Sequence, residues 1–203
     1  MINANMGSGT ELSHRLCIGL TGRMASGKGE AAKILQQRGY RYISLSDIVR
    51  EEAAKGRRTV NRRQMQDIGN RLRQEGGAGI LGQRVREKIL VAAERKWVVD
   101  GIRHPDEVAE LRRIDRFVLI GIDAPIDIIC LRIRSRARQT DDFDETELRR
   151  ILDREWGIGQ PPDGQQVGRC VALSDFIVTN DTSLEALTRR LDSILSRIGD
   201  EYE

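Results

Sequence analysis

A chain of 203 residues, 39% of them hydrophobic, is long enough to bury a sizeable core and suits one domain with inserts. Its 34 basic and 31 acidic residues alternate to a net charge of +3 and aromatics make up 4%, so no basic stripe or stacking platform for nucleic acid stands out. No stretch reaches the roughly 20 apolar residues that span a bilayer, and the polar opening lacks the basic start and apolar run of a signal peptide; both features predict a soluble, cytoplasmic chain with no membrane partner.

Residues 1–14 read as a flexible polar tail and 15–203 as one domain. Residues 16–21 predict a buried strand, followed by a glycine-punctuated loop and a helix over 30–37 that ends near Gly39. A second strand spans 40–44, and Ser46 or Asp47 caps a helix running to about Lys55. The arginine-rich stretch 57–79 shows helical spacing at Met65, Ile68 and Leu72, broken by Gly76-Gly77, and 80–95 is a further helix. Strands at 97–101, 117–122 and 175–179 alternate with helices at 105–112, 126–136, 148–156 and 183–198. Between them lie a polar acidic segment, 139–147, and an irregular loop, 157–168. Five strands alternating with helices predict a parallel sheet covered on both faces, with ligands at the carboxyl ends of the strands.

The loop reads GxxxxGK from Gly22 to Lys28. Glycines let a backbone curl around an anion with its N–H groups inward, the following helix start adds partial positive charge, and Lys28 supplies a mobile cation. The basic residues comprise only five lysines against 29 arginines, a surplus that fits phosphate handling because guanidinium forks match phosphate oxygens. Cys17, Cys130 and Cys170 are widely spaced and read as small buried thiols, not as disulfides or metal ligands. His14 and His104 read as incidental to any chemistry.

The chain resembles the P-loop nucleoside monophosphate kinases typified by adenylate kinase. Gly27-Lys28-Gly29 is similar to the GKG of that group, and the segment from Ile43 to Arg50 looks like its monophosphate-binding segment. Asp100-Gly101-Ile102-Arg103 is similar to Asp-Gly-Phe-Pro-Arg, and Asp123 followed by Arg132, Arg134 and Arg136 resembles the strand and arginine helix that lead into the lid. The resemblance implies an α/β P-loop NTPase three-layer sandwich on a five-stranded parallel sheet, with an acceptor-binding insert at about 45–95 and a small lid at about 136–150. It implies ATP and Mg2+ as cofactors, a small-molecule nucleotide acceptor, and a monomer or small homo-oligomer. The implied reaction moves the γ-phosphoryl group to a nucleoside or deoxynucleoside monophosphate.

By this resemblance Gly22, Ala25, Ser26, Gly27, Lys28, Gly29 and Glu30 surround the donor phosphates, with Arg132 and Asn180 beside the nucleotide. Asp47, Arg50 and Arg103 hold the acceptor, with Arg62, Arg63 and Gln66 lining its pocket; Asp47 also reads as a plain helix cap. Lys28, Arg103, Arg136 and Arg150 are the catalytic cations, since this chemistry asks for charge and alignment more than covalent reactivity. Asp100 and Asp123 orient magnesium through its water shell. Two features depart from the family: Glu30 stands where adenylate kinases carry threonine, and the lid segment is short and lacks the cysteines of a structural zinc site. A second resemblance, from Ser174 to Leu187, is to the end of dephospho-coenzyme A kinases and makes that activity the alternative; a non-catalytic ATP-binding regulator is the rival of a different class.

Overall fold

The computed structural model describes residues 15–55, 62–137 and 145–200. Strands β1 (Leu16–Thr21), β2 (Arg41–Ser44), β3 (Lys96–Ile102), β4 (Arg116–Asp123) and β5 (Phe176–Thr179) form one sheet in the order β2-β3-β1-β4-β5, every neighbouring pair parallel. The helices are α1 (Lys28–Gln37), α2 (Leu45–Lys55), α3 (Arg62–Gly76), α4 (Ile80–Val91), α5 (Pro105–Leu111), α6 (Ile126–Ala137), α7 (Glu145–Trp156), α8 (Val167–Ala172) and α9 (Leu184–Asp200).

The central strands are apolar on both faces because both are covered, and the two-residue period of a strand splits them between two cores. Cys17, Val99 and Leu119 pack with α2, α4 and α5 on one side; Ile18, Val98 and Ile120 pack with α1 and α9 on the other. A third cluster joins α6 and α7 through Ile129, Ile133, Leu148 and Leu152, with Met24 and Ala25 against it. That cluster brings α7 to the glycine loop. The expected α/β sandwich with a five-stranded parallel sheet is the one found.

Local boundaries differ from the sequence reading in four places. Ser44, not Ser46 or Asp47, stands before α2: its hydroxyl accepts the Ser46 N–H at 3.1 Å while the Asp47 carboxylate accepts the Ser44 N–H at 3.1 Å, a reciprocal cap. Helix α4 stops at Val91 because Ala92 turns extended, with φ −81° and ψ 155°, to enter β3. Helix α7 begins at Glu145, inside the segment read as merely polar. Helix α8 lies where no element was expected, held by buried Val167, Cys170 and Val171. The three cysteines are free, but Cys130 is half-buried and not buried like the other two. No described helix is long and apolar enough to cross a membrane. The tail at 1–14 and the middle of the expected lid fall outside the described residues.

Candidate functional site

Because β1 lies between β3 and β4 and all three run parallel, the chain leaving them converges at the carboxyl ends of the strands. The loop after β1 turns back at Gly22, with φ 140°, and enters α1 through Gly27, with φ 114°; neither angle suits a residue with a Cβ. Space forbids one as well. A Cβ at Gly22 would overlap the Ile122 carbonyl oxygen, and one at Gly27 would overlap the Asn180 amide. Among the described residues Ala25, at φ 58°, is the non-glycine residue in the left-handed region and marks stored strain in the loop. Lys28 Nζ donates to the carbonyls of Gly22 at 2.6 Å and Arg23 at 2.8 Å, so the lysine is folded across the mouth of the loop.

The outer side of the loop is tied down by two residues expected near the nucleotide. Asn180 Nδ2 donates to the Ser26 carbonyl at 2.8 Å, and the Asn180 N–H donates to the Asp123 carbonyl at 2.7 Å. Arg132 reaches the carbonyls of Ala25, Ser26 and Asn180 at 3.1 to 3.3 Å. Gly29 is exposed in the first turn of α1, and Glu30 accepts from Lys33 at 3.0 Å on the exposed side of that helix.

Asp100 and Asp123 stand at the ends of β3 and β4, on either side of β1. Asp123 pairs with Arg23 at 3.3 Å. Asp100 accepts the Gly101 N–H at 2.6 Å and the Tyr42 hydroxyl at 3.3 Å. Burial, and then the negative charge of Asp100, push the Tyr42 hydroxyl above its ordinary range, so it remains a donor at neutral pH. Among the described residues no three His, Cys, Asp or Glu side chains gather as direct metal ligands.

Beyond β3 a cavity of about 290 Å³ opens between α2, α3 and the end of the strand. Its apolar wall includes Leu45, Val49, Met65 and Leu81, and its polar wall includes Arg50, Arg103, Gln66 and Gln165. Asp47 is not among the lining residues; it closes the cap of α2 and pairs with Arg50. The side chains of Arg62 and Arg63 lie outside the described residues.

Of the two arginines expected at a lid, Arg136 is on the last turn of α6 with its side chain outside the described residues, and Arg150 is exposed on α7. A separate groove of about 700 Å³ between α6 and α7 is lined by Arg23, Arg134, Arg149 and Trp156, and Arg150 is not among its lining residues. The structure thus brings Lys28, Asp100, Asp123, Arg132, Asn180 and Arg103 to the carboxyl ends of the strands, and leaves Glu30 and Arg150 outside that group.

Residues 21–149 match the AAA domain family AAA_17. A UPF0200 protein of Saccharolobus islandicus is 32% identical over 88% of this chain and 92% of its own length, and one of Sulfurisphaera tokodaii is 29% identical over 89% and 96%. The chain belongs to the AAA domain family and to the UPF0200 proteins. Among solved structures, a shikimate kinase of Bacteroides thetaiotaomicron superposes with a TM-score of 0.57 at 15% identity, covering 89% of this chain and 98% of that one. The TT1252 protein of Thermus thermophilus superposes with a TM-score of 0.56 at 20% identity, covering 91% and 98%. At such identities the likeness is one of fold: this UPF0200 chain has the α/β P-loop fold of those structures.

Several residues of the UPF0200 site escape a reading of the sequence. Glu155 and Trp156, at the end of α7, contact the loop: Glu155 accepts the Met24 N–H at 2.6 Å, and Arg23 lies 3.8 Å over the Trp156 ring. Arg73 and Glu107 form a buried ion pair at 2.7 Å under the cavity, and Glu107 also accepts the Arg103 N–H at 2.8 Å. Gln165 comes from the irregular loop, and its Oε1 is buried without a partner. In the sequence these charges are indistinguishable from solvated helix faces; the signal available was Trp156, one of only two tryptophans.

Proposed function

We propose that this protein transfers the γ-phosphoryl group of ATP to a small phosphate-bearing acceptor, with a nucleoside or deoxynucleoside monophosphate as the acceptor class. The observation that carries the reading is the placement of Arg50 and Arg103 in one cavity, with Glu155 linking Arg103 to Met24 of the glycine loop, so that guanidinium forks face an acceptor near a donor cradle. A volume of about 290 Å³ lies at the lower end of small-molecule sites and suits one such acceptor.

In this reading the loop N–H groups and the start of α1 hold the donor phosphates, and Lys28 exchanges its two carbonyl partners for phosphate oxygens. Asn180 and Arg132 keep the loop in shape. Arg50 and Arg103 align the acceptor, and their charge offsets the repulsion between two polyanions brought end to end. The oxygen donors at the strand ends fit magnesium, an ion that keeps several waters and takes one or two carboxylates beside phosphates: Asp100 and Asp123 would hold it through water. That ion, when bound, supplies charge neutralisation across the phosphate oxygens.

A panel of ribo- and deoxyribonucleoside monophosphates with magnesium and ATP, read by diphosphate formation, tests the proposal, and dephospho-coenzyme A belongs in the same panel. Turnover of at least one monophosphate is expected, with Arg50→Ala and Arg103→Ala raising the acceptor KM. No phosphorylated product from any acceptor above background ATP hydrolysis refutes it. Tight ATP binding with no effect of either arginine substitution would favour a regulator over a kinase.

A further inference from the structure

Glu155 is 3% exposed and stands between the two halves of the site. Its Oε2 accepts the Met24 N–H of the loop at 2.6 Å, and its Oε1 lies 3.9 Å from Nε of Arg103. That Arg103 Nε is itself a buried donor with no hydrogen-bond partner. Trp156 stacks on Arg23, so two successive residues at the end of α7 engage two successive residues of the loop.

Transfer between two phosphates needs no carboxylate base, and an acid buried beside an anion-binding loop repels the triphosphate the loop is shaped for. A structural role is poorly served as well. The neighbouring buried acid Glu107 accepts four N–H groups at 2.7 to 3.1 Å, whereas Glu155 accepts one and faces a guanidinium beyond hydrogen-bond reach. What Glu155 reproduces is a phosphoryl group: negative charge, an oxygen on a loop N–H, and a second oxygen toward the acceptor-side arginine.

We propose that Glu155 is an internal stand-in for the phosphoryl group in transit, a positioning residue that occupies Met24 N–H and neutralises Arg103 until the terminal phosphate of ATP displaces it. The inference rests on the donor and acceptor assignments given above. Displacement releases Arg103 to the acceptor only after the donor is in place, so ATP binds before the acceptor. ADP lacks the terminal phosphate and leaves the carboxylate where it is. A ligand shifts such an equilibrium only by its differential affinity for the two arrangements, and the γ-phosphate is the group that differs.

The test is equilibrium binding of magnesium ATP and magnesium ADP to the full chain by titration calorimetry, wild type against Glu155→Gln, with tryptophan emission followed in the same titrations. Glutamine keeps the oxygen that accepts from Met24 and removes the charge. The expected result is ATP tightened about tenfold with ADP changed less than about twofold. In the wild type, ATP and not ADP should change the Trp156 emission; Trp97, buried near the start of β3, is a constant background. An ATP-to-ADP affinity ratio equal in the two proteins, with emission unmoved by ATP, overturns the stand-in while leaving the nucleotide site intact. Failure of the wild type to bind either nucleotide overturns both. The emission readout needs no substitution, so it decides the matter even where Glu155→Gln does not fold.

Discussion

Glu107→Gln is the substitution from which the structure makes the largest demand. Glu107 is fully buried: Oε1 accepts Nε and Nη2 of Arg73 at 3.1 and 2.7 Å, and Oε2 accepts the backbone N–H groups of Arg103 and His104 at 2.8 and 3.0 Å. Glutamine has one accepting oxygen, so its NH2 must point either at a guanidinium or at two peptide N–H groups, donor against donor. Arg73, 4% exposed, is then left without its counter-charge. Removing one partner of a buried pair costs about 3–5 kcal/mol, a large share of the roughly 5–15 kcal/mol that holds a domain folded. At about 2–4 °C per kcal/mol for a chain of this size, the melting temperature should fall by about 6–20 °C. Thermal melts followed by circular dichroism, with calorimetry as a second probe, measure it. In the variant that still folds, the acceptor KM should also rise, because Glu107 fixes the peptide from which Arg103 projects. The double substitution Arg73→Gln, Glu107→Gln should recover part of the loss, since no buried charge remains. A single variant melting within about 2 °C of wild type refutes the reasoning.

Lys28→Ala should lower kcat by about 10²–10³, the effect of removing one preorganised charge, with little change in melting temperature because the lysine bonds to carbonyls of the loop itself and not to the core; an equal loss of stability would make it structural. Gly22→Ala should abolish ATP binding by calorimetry, since its Cβ meets the Ile122 backbone oxygen, which cannot rotate away. Burial pushes the thiols of Cys17 and Cys170 well above their ordinary range while Cys130 is half-buried, so a thiol reagent at pH 8 should titrate one group in the native chain and three after unfolding. Because the two folded-state values are raised, the stability they contribute is intact below the free-thiol range near 8.5 and declines as pH climbs above it. Cys17→Ala should therefore lose less stability than wild type between about pH 8 and 10, measured by urea unfolding.

How much of this was legible in the sequence follows from which interactions are local. The loop could be read because its chemistry is contiguous: glycines at fixed spacing, an apolar run before and a helix after. The strands could be read because both faces are buried, which leaves short unbroken apolar runs such as Val98-Val99. Helix α8 was lost because its six residues follow a Gly-Pro-rich stretch and include Gly168, with too few turns to show a period. Glu155 and Glu107 were lost for another reason. Each sits in a helix among other charges of the same kind, and only contacts 131 residues away in the case of Met24, or 34 in the case of Arg73, distinguish them.

Those two acids belong to a wider pattern that bears on how the site works. Arg23, Arg50 and Arg103 are each answered by a carboxylate of the same chain: Asp123 at 3.3 Å, Asp47, and Glu155 at 3.9 Å. Uncompensated cations gathered at the carboxyl ends of the strands would repel one another and weaken the fold. Internal acids beside them compensate that charge, and in the proposed reading binding is an exchange of carboxylates for phosphates. Exchange makes affinity a difference between two sets of contacts, so a substitution that removes an acid strengthens binding of the phosphate it competes with, while one that removes an arginine weakens it. The three pairs differ in tightness, and the loosest and most buried, Arg103 with Glu155, is the one that joins the glycine loop to the cavity beyond β3. In the proposed reading the exchange does more there than hold a ligand, because the same movement that admits the donor phosphate frees the guanidinium the acceptor needs.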